Sequence, residues 1–255
     1  MDFNLFQWLL VFLRASALLA LFPIFSARNT PVQVRVALGA ATALLIAPNL
    51  PGLPLAAPAT VLGLMELFLK EIGAGLLIGF MSRMIFFALD FAGGLMSAEI
   101  GLLFSPDPDP FSSTETQAPG LILYYLAAML MLSLDLHHWL LVAFQRSYTV
   151  LPAGGAHLQQ ALMLEVLKGS ALIFRIALQI AAPVVAVSFI ITLLFSVLGR
   201  AVPQMNVFSE SFAIRALAGL SVFGLTMNLM ASHISNYLRR LPDDLLRVAQ
   251  LMGVG

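Results

Sequence analysis

The stretch Phe104-Ser-Pro-Asp-Pro-Asp-Pro-Phe-Ser-Ser-Thr-Glu-Thr-Gln-Ala-Pro119 is the one long polar interruption in an otherwise apolar chain. Pro106, Pro108 and Pro110 exclude helix there, because each lacks an amide donor and biases its predecessor toward extended geometry. Asp107, Asp109 and Glu115 make it acidic. Apolar segments run up to it on one side and away from it on the other. Inside a bilayer, irregular backbone is tolerated only where protein surrounds it or where it lines water. The stretch is therefore either a plain connector in water or a segment folded back to block a conduit. Composition does not choose between the two.

Outward from this stretch, composition sets the class. Of 255 residues, 60% are hydrophobic and 10% charged, with a mean hydropathy of +0.95. A soluble domain carries roughly 25% charged residues, so this chain lacks the polar atoms to cover itself in water. The expectation is an all-α, multi-helix integral membrane protein. Net charge is zero, with no basic stripe, which argues against nucleic acid as a partner. The absence of cysteine excludes disulfides and thiolate metal sites. The first apolar segment starts Met1-Asp2 and is interrupted by Arg14, so it reads as a retained helix rather than a signal peptide.

Breakers divide the rest. Helices are expected at about 3–26, kinked or ended by Pro23, and at about 31–47, with Thr30 as N-cap and Pro31 at the first helical position. Proline clusters at 48–54 and at Pro58 follow. Helices at about 60–81 and 82–103 precede the opening stretch. The segment at about 119–150 is longer than a ~30 Å bilayer requires, and Asp135-Leu-His-His-Trp139 is its expected break. A short amphipathic helix at about 157–168 leads into two long apolar segments, about 169–199 and 207–238, which read as a hairpin. A tail with a short helix after Pro242 completes the chain.

Charges inside apolar helices carry the functional signal, because each would cost a few kcal/mol facing lipid. Glu66, Lys70, Glu71, Arg83, Asp90, Glu99, Asp135, Arg175 and Arg215 are of this kind. They either line a water-filled path or pair at packed contacts, unless several sit near helix ends and reach the interface. Glu66 and Lys70 are four apart and expected to pair. Gly75 and Gly79 form a Gly-x-x-x-Gly pair, which permits close backbone approach. Met81, Met84, Met96, Met129 and Met131 are either core filling or a deformable seal. Signs of catalysis are sparse. No Gly-x-Ser-x-Gly elbow is present, and His157 and His233 stand apart from His137 and His138. Neither a cofactor nor a metal is expected, since a metal wants three or four converging ligands.

The order of motifs resembles the FliR family, the flagellar type III secretion export gate proteins, which also includes the equivalent injectisome subunit. The matching residues are Lys70-Glu71-x-Gly73-x-Gly75-x-x-x-Gly79-Phe80, Ala92-Gly93 with Gly101, and the Asp107-Pro108 loop. They continue with His137-His138-Trp-Leu-Leu141, Ser147-Tyr148 and Pro152, and close with Gly199-Arg200-Ala-Val-Pro203-Gln204-Met205-Asn206-Val207. Tyr148 stands where that family more often shows phenylalanine.

The resemblance implies kinked helical hairpins packed into a hetero-oligomeric export gate in the bacterial inner membrane, at the flagellar basal body. It implies FliP-like and FliQ-like gate subunits, FlhB-like and FlhA-like neighbours, and unfolded rod, hook and filament proteins as cargo. No enzymatic role is implied. Residues 1–155 would be a FliP-like half, 156–240 a FliQ-like hairpin and 241–255 a short tail. The segment 104–119, with Phe104, Pro106, Asp107, Pro108, Pro110 and Phe111, would be a plug. Glu66, Lys70, Glu71, Gly75, Gly79 and Asp90 would serve subunit packing. Gly199, Arg200, Pro203, Gln204 and Asn206 would form a cytoplasm-facing tip. An injectisome gate is the first alternative. A small-solute transporter would call for an internal repeat, which is not evident, and an intramembrane enzyme would be built on Asp135, His137 and His138.

Overall fold

The computed structural model describes residues 4–23, 25, 30–50, 53–54, 56–102, 118–157, 159–202, 204 and 206–253. Among these there is no strand. Seven α-helices occur in chain order: α1 Leu5–Leu21, α2 Val32–Ile46, α3 Val61–Ile100, α4 Ala118–Ser133, α5 Leu136–Val150, α6 Gln160–Ala201 and α7 Val207–Gly253. A short 3₁₀ turn, Ala47–Asn49, closes α2. Among the described residues, four helical segments are long and apolar enough to cross a membrane, or five if α4 and α5 together make one broken span.

The helix starts follow local chemistry. Asn4 caps α1, its side-chain oxygen accepting from the amides of Phe6 at 3.0 Å and Gln7 at 3.4 Å, which satisfies two otherwise orphaned donors. Ahead of α2 the cap position is Pro31, without a side-chain bond. The expected Thr30 cap is thus displaced by one residue.

Three boundaries differ from the sequence reading. The expected helices 60–81 and 82–103 are one helix, α3. No proline falls between Val61 and Ile100, and the bilayer-length rule that suggested a division does not itself break hydrogen bonds. The amphipathic segment expected at 157–168 is continuous with the next, giving α6, which carries Pro183 internally. Likewise α7 runs on through Pro242 to Gly253. A proline removes one backbone bond from a helix, but flanking turns that are packed hold the helix on either side. Leu238, Leu241 and Leu245 around Pro242 are all buried. The break expected at Asp135 is present, with α4 and α5 meeting at 73°.

Two compact units are distinguished by their internal contacts. One comprises Met1–Met84, Met131–Ser170 and Tyr237–Gly255, the other Ile85–Leu130 and Ala171–Asn236. The first has Leu10, Val11, Ile78, Leu140, Leu162 and Met252 at its core, each 6% exposed or less. Its last turns are tied down by a backbone bond from His157 N–H to Met252 O, 3.0 Å, and by an Arg247–Glu165 pair at 3.3 Å. The second unit buries Phe86, Leu89, Met96, Ile100, Leu123 and Ile180. There Gly93 lies against the backbone of Gly120, where a Cβ on Gly93 would collide. Phe86 and Tyr124 pack edge to face at 5.2 Å. Met81, Met84, Met96 and Met131 are buried core filling, whereas Met129 is 70% exposed.

Candidate functional site

Helix α1 turns one apolar face inward, and Arg14 sits in the middle of it. Leu10, Val11, Ala15 and Leu18 are buried on that face, at the three- and four-residue spacings that share a helix side. The Arg14 side chain is therefore directed inward and is 0% exposed. A guanidinium offers five N–H donors and cannot shed its charge, so burial demands a carboxylate and further acceptors. Glu71 on α3 supplies the carboxylate. Arg14 Nε donates to Glu71 Oε2 at 2.8 Å, and Nη2 donates to Oε1 at 3.0 Å, a two-pronged match of planar groups.

Helix α5 and the turn after it complete the shell. Arg14 Nη1 donates to Leu151 O at 3.1 Å and approaches Ser147 Oγ at 3.4 Å. The Tyr148 ring lies under the guanidinium, 3.8 Å from its carbon to the ring centroid. That contact uses the ring face, which phenylalanine would also present. Glu71 Oε1 takes a second bond, from Gly154 N–H at 2.9 Å. Three helices of the first unit, α1, α3 and α5, and the turn after α5 thus converge on one ion pair.

Close helix approach makes the pair possible. A Cβ on Gly75 would collide with Arg14 O, and one on Gly79 would lie 2.8 Å from Leu18 O. The Gly75–Gly79 row is the track on which α3 meets α1, one turn beyond Glu71.

Glu66 and Lys70 form the expected pair at 2.7 Å, with Glu66 64% and Lys70 26% exposed. Asp90 lies on the exposed side of α3 and is not part of the buried cluster. Gly199 and Arg200 fall in the last turn of α6, and Gln204 and Asn206 are exposed between α6 and α7. Pro203 lies outside the described residues, as do Phe104, Pro106, Asp107, Pro108, Pro110 and Phe111.

In the sequence Arg14 stands out only as an interruption of an apolar segment. The usable signal was that ionisable residues within membrane helices pair with one another. Applied to the lone arginine in α1, that rule calls for a carboxylate partner, but α3 carries four, Glu66, Glu71, Asp90 and Glu99, and the rule does not choose among them. Beside the cluster, an apolar cavity of about 310 Å³ is lined by Leu18, Phe22, Leu38, Leu140 and Phe144, with Ser82 and His137 on its wall. Among the described residues, three potential metal donors converge at Asp135, His137 and His138.

Comparison with known proteins covers nearly the whole chain. The family model for bacterial export proteins, family 1, matches residues 5–241. The flagellar biosynthetic protein FliR of Escherichia coli K12 is 30% identical over 228 residues, covering 89% of this chain and 86% of that protein. FliR of Pectobacterium carotovorum is 29% identical, covering 94% and 92%. FliR of Bacillus subtilis 168 is 26% identical, covering 97% and 96%.

Proposed function

This chain belongs to bacterial export protein family 1, the FliR family, and on that premise we propose that it is a subunit of the flagellar type III export gate. In this reading it assembles with FliP-like and FliQ-like subunits in the inner membrane, beside FlhB-like and FlhA-like proteins. Unfolded rod, hook and filament proteins pass through the assembly. The observation that carries the proposal is the family match across residues 5–241. The relatives bearing a flagellar name favour this system over the injectisome.

The packing supports a chain designed for company. The most apolar 18-residue windows of α6 and α7 are only 28% and 11% buried within the chain, against 61% for α3. Leu193, Leu194 and Val197 on α6, and Leu217 and Leu225 on α7, are more than half exposed. Such a surface is covered by lipid or by neighbouring polypeptide. Arg175 is also exposed on α6, and a cation in lipid costs a few kcal/mol, so sister helices suit part of that surface better. The role is mechanical: the chain holds a conduit together and no residue is assigned a chemical step.

The test is genetic and biochemical. Loss of the gene in its own host abolishes filament assembly and swimming, and a null strain that swims normally overturns the proposal. Deleting residues 106–116 leaves the complex assembled but makes the inner membrane leaky to ions. A deletion strain as tight as wild type removes the plug assignment.

A further inference from the structure

The break between α4 and α5 brings together side chains that a regular helix would separate. Residues i and i+2 point to different sides of a helix. Asp135 is in the left-handed region, φ 54, and among the described residues it is the one non-glycine with positive φ. That turn places the Asp135 carboxylate over the first turn of α5, where His137 and His138 follow. One ligating atom from each of the three lies within 4.8 Å of the other two.

The distances suit coordination better than hydrogen bonding. Asp135 Oδ1 and His138 Nδ1 are 3.6 Å apart, too far for a hydrogen bond. Tetrahedral coordination with bonds of about 2.0–2.2 Å has ligand-to-ligand edges of about 3.3–3.6 Å. The two imidazole centroids are 4.0 Å apart. His137 contributes an independent sign: its Nδ1 is buried without a hydrogen-bond partner among the described residues. Asp135 and His138 are 73% and 67% exposed, so both are open to ions from solution and free to rotate the remaining distance.

Electrostatics at the break permits a cation. The N-terminus of α5 opposes one, but the C-terminal carbonyls of α4 end at the same place and favour it. The carboxylate tips the balance. Two imidazoles with one carboxylate select zinc and its neighbours in the first transition row, whereas calcium and magnesium want oxygen donors throughout.

We propose that Asp135, His137 and His138 form a zinc-type divalent metal site that pins the α4–α5 break, with solvent completing the coordination. The proposal rests on this local geometry and not on the export reading. The experiment is a metal titration of the full-length chain, without a histidine tag, stripped with chelator in mild detergent. Cobalt(II) is the spectroscopic probe. One equivalent is expected to give visible absorption bands of a tetrahedral site, and one equivalent of zinc to bleach them. His138→Gln, at an exposed position, lowers zinc affinity by more than about tenfold, the lower end of what loss of a mere outer-shell partner costs. His157→Gln, outside the cluster, changes nothing. Absence of the bands overturns the site, as does wild-type zinc affinity in His138→Gln. Should that variant fold poorly, Asp135→Asn gives the same reading, and unchanged affinity there overturns the site equally.

Discussion

Removing the carboxylate of Glu71 is the sharpest perturbation the fold offers. Arg14 is 0% and Glu71 1% exposed, so neither water nor salt can replace the lost partner. In Glu71→Leu the guanidinium keeps only Leu151 O, Ser147 Oγ and the Tyr148 ring, and Gly154 N–H loses its acceptor. Stranding one member of a buried pair costs about 3–5 kcal/mol. The Coulomb term agrees, at roughly 4 kcal/mol for charges 4 Å apart at an effective dielectric near 20. Against a typical total of about 5–15 kcal/mol, that is a large share. At about 2–4 °C per kcal/mol for a chain of this size, the midpoint falls by roughly 10 °C. Arg14→Met strands Glu71 instead and falls comparably.

The double variant Arg14→Met/Glu71→Leu is the decisive comparison. It removes both charges together, so it should be more stable than either single variant. Thermal unfolding of the purified chain in mild detergent, followed by the intrinsic fluorescence of Trp8 on α1 and Trp139 on α5, measures all three. Single variants that shift the midpoint by less than about 2 °C, or a double variant whose loss equals the sum of the singles, would show that the ion pair does not hold this unit together.

Two further predictions use neighbouring residues on α3. Gly79→Ala places a methyl 2.8 Å from Leu18 O and should cost about 1–3 kcal/mol by overpacking, whereas Gly73→Ala meets nothing within 4 Å and should stabilise by up to about 1 kcal/mol through helix propensity; the same melting experiment reads both, and equal shifts refute the packing argument. Glu66→Ala and Lys70→Ala should shift the melting of the isolated chain by at most a few degrees, because Glu66 is 64% exposed and solvent screens the pair. In the host, both should reduce co-purification of FliP-like and FliQ-like partners, and full recovery of those partners removes the proposed packing role.

How far the sequence reached is clearest at individual residues. The Glu66–Lys70 pair was legible because four-residue spacing on one helix is local geometry. The break at Asp135 was legible because a polar cluster interrupts a run longer than a membrane needs. The merging of two expected helices into α3 was not, because apolar length says how much helix a bilayer requires and nothing about where a helix must stop. Glu71 reads in the sequence as costly to bury and, by the family resemblance, as a packing residue, while its partner lies 57 residues away and no spacing rule connects them.

Composition and order alone determined that this is a helical membrane chain of the FliR family, because hydrophobicity, breakers and motif order are properties of the sequence read in line. Only the tertiary structure decided which charges meet. Arg14 finds Glu71, Ser147 and Leu151 because the Gly75–Gly79 row lets α3 close on α1 and α5 folds back over both. A buried ion pair is specified by through-space distance to fractions of an ångström, and chain distance carries no record of that.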